Sequence, residues 1–156
     1  MATFTATRAA STFPVPSISV PTGVLQVAWG VYSLAANPTA NDVIEFCRVP
    51  KGATVIGGWL QGVDIDTNAT ETFDIDLGWA ANGVESADTD GFGNFGVQTG
   101  DASVHLPVAG IYLPFANIIQ TPGFVTFSAE TKIIGTVIAT AATGGTGVLK
   151  AVVLFV

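Results

Sequence analysis

Apolar and polar residues alternate with a period of two along much of this chain, a pattern typical of β-strands. The clearest run covers residues 72–79, where four large apolar side chains share one face and Thr, Asp, Asp and Gly share the other. Successive side chains of a strand point to opposite faces of the sheet. We therefore expect the apolar face of this strand to be buried and the face with Asp74 and Asp76 to meet water.

Further short segments with strand character lie on both sides of this run, separated by turn residues. Pro50-Lys51-Gly52 predicts a tight turn, because proline suits the corner and glycine tolerates a positive φ. Gly57-Gly58 predicts a bulge or a close crossing of strands. Residues 132–140 and 148–156 flank a Gly-rich stretch and predict a terminal hairpin.

The strand at 148–156 is apolar on both faces apart from Lys150. We expect it to lie in the middle of a sheet, covered on both sides, or to have one face against another chain. Residues 80–101 are predicted to be a long exposed loop with a short helix near 84–89. About eight short strands and no long helical pattern predict an all-β, antiparallel, jelly-roll-like β-sandwich, which we assign to residues 23–156 as a single domain.

Residues 1–22 differ from the rest because they are rich in Thr, Ala and Ser and contain three prolines. Proline fixes φ and lacks a backbone donor, so this segment is predicted to be extended. It carries more apolar residues than a disordered tail usually does. We predict an extended N-terminal arm that lies along a neighbouring subunit; the alternative is an edge strand or flap on its own domain. The candidate contacts of the arm are Phe4, Phe13, Pro14, Val15, Pro16, Ile18 and Val20.

The composition adds an independent reason to expect assembly. Charged residues make up 11% of the 156 residues, whereas an average soluble domain has roughly 25%. Part of the surface is therefore expected to be buried against another chain. The net charge of −7 and the five scattered Lys and Arg residues argue against a nucleic-acid partner. The apolar runs are too short for a membrane-spanning helix and no secretory signal opens the chain, so we expect no membrane partner.

Few residues could carry catalysis. His105 is the single histidine and Cys47 the single cysteine, and the sequence contains neither a nucleophile elbow nor a phosphate loop. We interpret His105 as a structural or surface residue and Cys47 as a buried, inert thiol. The sequence thus predicts no enzyme activity, no cofactor and no small-molecule substrate.

Two acidic stretches leave a question about metal binding. Residues 64–68 and 88–90 each contain two aspartates, and Asp88-Thr89-Asp90-Gly91 is similar to the start of a calcium loop. The residues that follow do not supply the remaining ligands of such a loop. We interpret both stretches as solvated acidic faces and predict no metal site, with bound Ca²⁺ as the alternative.

Residues 43–58 read V-I-E-F-C-R-V-P-K-G-A-T-V-I-G-G, and Asp64-Ile65-Asp66-Thr67 and Phe73-Asp74-Ile75-Asp76-Leu77-Gly78 follow them. A strand, a Pro-Lys-Gly turn, a second strand and a strand that ends in Leu-Gly form a succession that resembles virion structural proteins of tailed bacteriophages. It is most similar to small capsid decoration, or cement, proteins. The resemblance covers roughly residues 24–156 and contains no catalytic motif.

The resemblance implies a homotrimer that is made in the host cytoplasm, sits on the capsid exterior and bridges subunits of the major capsid protein. Residues 1–22 would then clamp a neighbouring subunit. The alternative is a carbohydrate- or receptor-binding jelly-roll module of a phage tail or fibre, because Trp29, Tyr32 and Trp59 offer stacking faces. Trp79, by contrast, lies on the face that is predicted to be buried.

Overall fold

The structure is a computed structural model, and it describes residues 1–16, 23–63, 65–66, 68, 72–96, 110–115, 123–143 and 147–156. These residues contain ten strands and one short 3-10 turn at Thr7–Ala9. The strands are β1 (Thr3–Thr5), β2 (Gln26–Ser33), β3 (Val43–Val49), β4 (Thr54–Val63), β5 (Asp74–Trp79), β6 (Asp88–Gly93), β7 (Gly110–Pro114), β8 (Val125–Thr126), β9 (Thr131–Ala139) and β10 (Val148–Phe155). No helix in this part of the chain is long and apolar enough to cross a membrane.

The strands form two sheets that face each other. One has the order β1-β3-β9-β5-β6, and the other has the order β2-β10-β4-β7 with β8 paired to the end of β4. Neighbouring strands are antiparallel except for β1, which runs parallel to β3. Without the short strands β1 and β8, this is the order of a jelly roll, with four strands in each sheet. The predicted all-β, jelly-roll-like sandwich is therefore confirmed.

Successive strands mostly cross from one sheet to the other, which contradicts the predicted terminal hairpin. β9 pairs with β3 and β5, whereas β10 pairs with β2 and β4 in the opposite sheet. The tight turn after Pro50 behaves in the same way, since it joins β3 of one sheet to β4 of the other. A turn signal shows that the chain reverses direction, but it does not show whether the next strand lies beside or opposite the previous one.

The central position predicted for the segment 148–156 is confirmed. β10 lies between β2 and β4, pairing Phe155 with Gln26 on one side and Val148 with Val63 on the other. Its inward side chains Leu149, Ala151, Val153 and Phe155 are fully buried. They join a core between the sheets whose largest members are Phe46, Phe73, Phe92, Phe127 and Phe155.

The local turn and bulge predictions are also confirmed. Gly52 has a φ of +89°, a conformation that favours glycine in a tight turn. Opposite Gly57, the ladder between β4 and β10 shifts register, which is the signature of a β-bulge. The carbonyl oxygen of Gly58 then accepts a hydrogen bond of 3.0 Å from the backbone N–H of Phe115.

The prediction that one face of β5 meets water is wrong. All six residues of β5 are buried, and Asp74 and Asp76 are only 9% and 5% exposed. The region predicted to be a loop contains β6, which pairs with β5 and comes very close to the same face at Gly78. A Cβ added to Gly78 would come within 2.0 Å of the Asp88 carbonyl oxygen.

The short helix predicted near residues 84–89 is also absent from the structure. Its place is taken by a turn in which Oδ1 of Asn82 accepts hydrogen bonds from the backbone N–H groups of Val84 and Glu85, at 2.9 and 2.7 Å. Such a side-chain turn competes with helix formation, because asparagine satisfies the backbone donors locally. The chain then continues directly into β6 at Asp88.

Candidate assembly surface

The largest concentration of exposed apolar side chains lies along β2 and at the adjacent start of β10. Among the described residues, ten large apolar side chains are exposed, and six of them lie here. We call these six residues the β2 surface; they are Val24, Leu25, Val27, Trp29, Val31 and Val148. Scattered single apolar residues are normal on a protein surface, whereas a contiguous patch marks an interaction site.

The two faces of β2 differ in side-chain size, and this explains why the large residues point outward. The inward positions Ala28 and Gly30 are buried. A Cβ at Gly30 would lie 1.9 Å from the backbone carbonyl oxygen of Phe46, so the backbones of β2 and β3 are in contact there. There is no room for large side chains between these two strands, and the bulky residues Val27, Trp29 and Val31 occupy the outer face instead.

Two cations flank the aromatic centre of the β2 surface. The guanidinium carbon of Arg8 lies 3.7 Å from the centroid of a Trp29 ring, and Nζ of Lys150 lies 5.6 Å from it. Both distances fit cation–π contacts. Two of the chain's five Lys and Arg residues thus lie at this surface, although the protein as a whole carries a net charge of −7.

The first residues of the chain lie against their own domain. β1 forms the edge of one sheet beside β3, and Ala6 donates a backbone hydrogen bond of 2.8 Å to the Glu45 carbonyl oxygen. Ala6 and Ala9 are buried, and the 3-10 turn packs at the seam between β2 and β3. Residues 3–5 therefore form an edge strand on their own domain, which was the alternative to an arm along a neighbouring subunit.

The predicted arm contacts occupy different environments. The ring of Phe4 lies 5.7 Å from that of Tyr32, centroid to centroid. The carbonyl oxygen of Phe13 accepts a hydrogen bond from the Arg48 guanidinium. Pro14 is exposed, whereas Val15 and Pro16 are half-buried. Ile18 and Val20 lie outside the described residues. Contact of this segment with a neighbouring chain stays a prediction.

One of the acidic residues considered for calcium has a different, structural role. Oδ2 of Asp66 accepts hydrogen bonds from the backbone N–H groups of Thr72, Phe73 and Ala142, and Oδ1 accepts from those of Asn68 and Thr143. Burial raises the pKa of Asp66, but these donors outweigh that effect and lower the pKa below its ordinary value. Asp66 thus ties two loops together, and Asp64 lies outside the described residues.

The second acidic stretch is not a loop, because Asp88 and Asp90 belong to β6. Burial, followed by a hydrogen bond and charge repulsion from Asp90, raises the pKa of Asp88. Within the described residues, no three His, Cys, Asp or Glu side chains are grouped so that they could hold a metal ion.

The prediction for Cys47 is confirmed. Its side chain is buried, and burial raises the pKa of the thiol to about 12, so it is protonated and unreactive at neutral pH. His105 lies outside the described residues. The burial predicted for Trp79 is confirmed as well, and its Nε1 donates a hydrogen bond of 3.1 Å to the Ser86 carbonyl oxygen.

The β2 surface is the feature that the sequence interpretation missed. The run from Val24 to Leu34 is apolar on both of its faces, so the period of two does not show which face is inside. A usable signal was present in the sizes of the residues. Small residues at 28 and 30 alternate with large ones at 27, 29 and 31, which indicates close backbone contact on the small side.

Comparison with known proteins places this fold among phage capsids. No protein family matches the sequence, and no curated protein matches it either. Similar solved structures exist, however. A chain from the capsid of Ralstonia phage GP4 matches with a TM-score of 0.69 and 22% identity, over 99% of this chain and 96% of that one.

Two further capsid structures agree with this match. A chain of the cyanophage Pam1 capsid asymmetric unit has a TM-score of 0.60 and 20% identity, covering 94% of both chains. A chain of the acidic stable capsid of Helicobacter pylori bacteriophage KHP30 has a TM-score of 0.50 and 17% identity, covering 85% of this chain and 88% of that one. The predicted resemblance to phage virion structural proteins is confirmed at the level of the fold.

Proposed function

We propose that this protein is a structural component of a bacteriophage virion, a capsid decoration protein that binds the outer surface of the shell as an oligomer. The observation that carries the proposal is the match to the GP4 capsid chain over nearly the full length of both chains. That capsid chain is therefore of similar size and has a similar fold over nearly all of its length. A small chain that is one sandwich suits a component added to a shell.

The β2 surface supplies the means of attachment. Apolar side chains at its centre and cations at its edge suit the composition of protein interfaces, in which aromatic residues and arginine are enriched. A standard interface buries about 1,600 Å² in total, and repetition over many copies adds up to a large stabilisation of a shell. The partners proposed are two further copies of this chain, forming a homotrimer, and the major capsid protein.

The test separates attachment from folding. The double substitution Val27→Asp and Val31→Asp places charges on side chains that are 48% and 40% exposed, so the fold should tolerate it. We expect this variant to melt within a few degrees of the natural protein but to lose cosedimentation with stripped capsids of the encoding virus. Val84→Asp is the matched control, because Val84 is 67% exposed and lies outside the β2 surface.

Light scattering on the purified chain tests the oligomer, and a trimer is expected. A monomer at micromolar concentration that also fails to cosediment with capsids would contradict the proposal. Equal cosedimentation of the double variant and the natural protein would show that the β2 surface is not the attachment site. The segment 1–16 would then be tested next, by point substitutions at Phe13 and Val15, since deletion would expose β3 and the sites of Ala6 and Ala9.

A carbohydrate- or receptor-binding module remains the second candidate. Trp29 is the exposed tryptophan that it would use. Arg8 lies over the Trp29 ring at 3.7 Å, and a sugar stacked on that side would have to displace it. The geometry thus favours a protein partner over a glycan, and binding to a glycan array would reverse this preference.

A further inference from the structure

The outer face of the sheet that contains β5 and β9 carries a buried polar strip. Asp74 and Asp76 lie on β5, two positions apart and therefore on one face. Thr136 of β9 is paired directly with Asp76 in the ladder. These three residues, which we call the acidic strip, are 9%, 5% and 8% exposed.

Three oxygens of the acidic strip have no hydrogen-bond partner among the described residues. They are Oδ1 of Asp74, Oδ1 of Asp76 and Oγ1 of Thr136. Buried polar atoms are nearly always satisfied, and a buried polar atom without a partner is costly. Thr136 is a second, non-acidic sign of a ligand at this place. Its hydroxyl is also buried, has no partner among the described residues and lies on the same face of the sheet.

No positively charged side chain among the described residues balances the charge of these carboxylates. Burial, then the charges of Asp74 and Asp90, raises the pKa of Asp76 to about 6, against a weaker opposing effect of the Phe95 backbone N–H. Burial also raises the pKa of Asp74. The described cations are placed elsewhere: Arg48 pairs with Glu130, Lys132 pairs with Glu45, Arg8 and Lys150 lie at Trp29, and Lys51 lies in the turn after β3.

We propose that the acidic strip binds one divalent cation, Ca²⁺, through Oδ1 of Asp74, Oδ1 of Asp76 and Oγ1 of Thr136. Two carboxylates match the charge of one divalent ion, and three side-chain oxygens on adjacent strands supply hard ligands. No group of three acidic side chains converges in the described residues, so water or backbone carbonyls complete the coordination. Ca²⁺ accepts six to eight oxygens in flexible geometry, whereas Mg²⁺ requires a near-ideal octahedron.

The experiment uses the full chain at pH 7.5 and low salt. Calorimetric titration with CaCl₂ should give one site, and melting curves should shift upward by about 5–10 °C when free Ca²⁺ is about 100 times the Kd. MgCl₂ should give a smaller shift at equal concentration. The absence of any shift at 10 mM CaCl₂ overturns the proposal, and an equal response to MgCl₂ overturns the assignment to Ca²⁺.

Variants locate the site. Asp76→Asn should abolish the Ca²⁺ shift and should melt higher than the natural protein in EDTA, because it removes a buried charge. Thr136→Val has nearly the same shape and should weaken Ca²⁺ binding roughly tenfold, without loss of stability in EDTA. The Thr136→Val variant still tests the proposal if Asp76→Asn fails to fold.

Glu130→Gln is the charge-matched control and should keep the full shift, because Glu130 is paired with Arg48 at the surface. A Ca²⁺ shift retained in Asp76→Asn, or a Kd for Ca²⁺ that is unchanged in Thr136→Val, overturns the proposal.

Discussion

The carboxylate of Asp66, which ties two loops together, leads to a specific prediction for stability. Its carboxylate accepts five backbone N–H groups at 2.8–3.3 Å, from residues in two separate loops. In Asp66→Asn only one oxygen remains, and the new NH₂ group faces donors in place of an acceptor. If the remaining oxygen takes the position of Oδ2, the N–H groups of Asn68 and Thr143 lose their partner.

The size of the effect follows from these contacts. A hydrogen bond to a charged group contributes about 1.5–3 kcal/mol, but water can replace the donors at exposed positions, and most of the five are exposed or half-exposed. We therefore expect a loss of about 2 kcal/mol, not the sum of five bonds. In a domain of this size that lowers the melting temperature by about 6 °C.

The pH dependence provides a second check on Asp66. Its pKa is lowered in the folded state from the ordinary value of 3.8, so the stabilisation is fully present above that pH and is lost as the pH falls through the folded-state pKa. The difference in stability between the natural protein and Asp66→Asn should therefore be constant from pH 5 to 8 and shrink below pH 3.8.

The assay for Asp66 combines thermal melting with amide hydrogen exchange. The amides of Thr72 and Ala142 should exchange faster in the variant, while those in the centre of β10 should keep their protection. Glu130→Gln is the control, since loss of a surface ion pair costs at most about 1 kcal/mol. An unchanged melting temperature together with unchanged exchange at Thr72 and Ala142 would show that Asp66 does not hold the two loops together.

Two further predictions concern the core. Gly30→Ala should destabilise the domain by about 3 kcal/mol or more in chemical denaturation, because its Cβ would lie 1.9 Å from the Phe46 carbonyl oxygen. The control Gly57→Ala should cost less than about 1 kcal/mol, because its nearest contact would be at 3.9 Å. Equal losses of stability in the two variants would contradict the close contact of β2 and β3. Cys47 should resist thiol reagents in the native protein and react in denaturant, since it is buried with a raised pKa; rapid native labelling would show that the strand opens.

The sequence predicted those features that depend on local patterns. The strand character of β5 and β10, the turn at Gly52 and the burial of Cys47 follow from residue type and spacing over fewer than a dozen positions. The jelly-roll class also followed, because many short strands with frequent turns admit few other arrangements.

Features set by distant contacts were not predictable in this way. Asp76 sits on a face that alternation assigns to water, yet its side chain is buried, and β6 approaches that face at Gly78. Thr136 becomes its neighbour only through the pairing of β5 with β9. The outward orientation of Trp29 likewise depends on the backbone of β3, whose approach to Gly30 leaves space for small residues alone. The prediction of a hairpin between β9 and β10 was wrong, because turn residues do not show whether the next strand lies in the same sheet or in the facing one.

The central place of β10 has a consequence for how the protein is made. β2 and β4 lie far earlier in the chain. β2 pairs with β10, and β4 has β7 on one side and β10 on the other, as the pairs Gln26 with Phe155 and Val63 with Val148 show. During synthesis the backbone edges of β2 and β4 that pair with β10 therefore stay unpaired until residues 148–155 emerge. Folds that depend on such remote pairs are slow, on the order of milliseconds to seconds, and their waiting strands are prone to associate with one another. We expect the yield of folded protein to fall with expression rate and temperature, and chaperones that shield extended apolar segments to restore it.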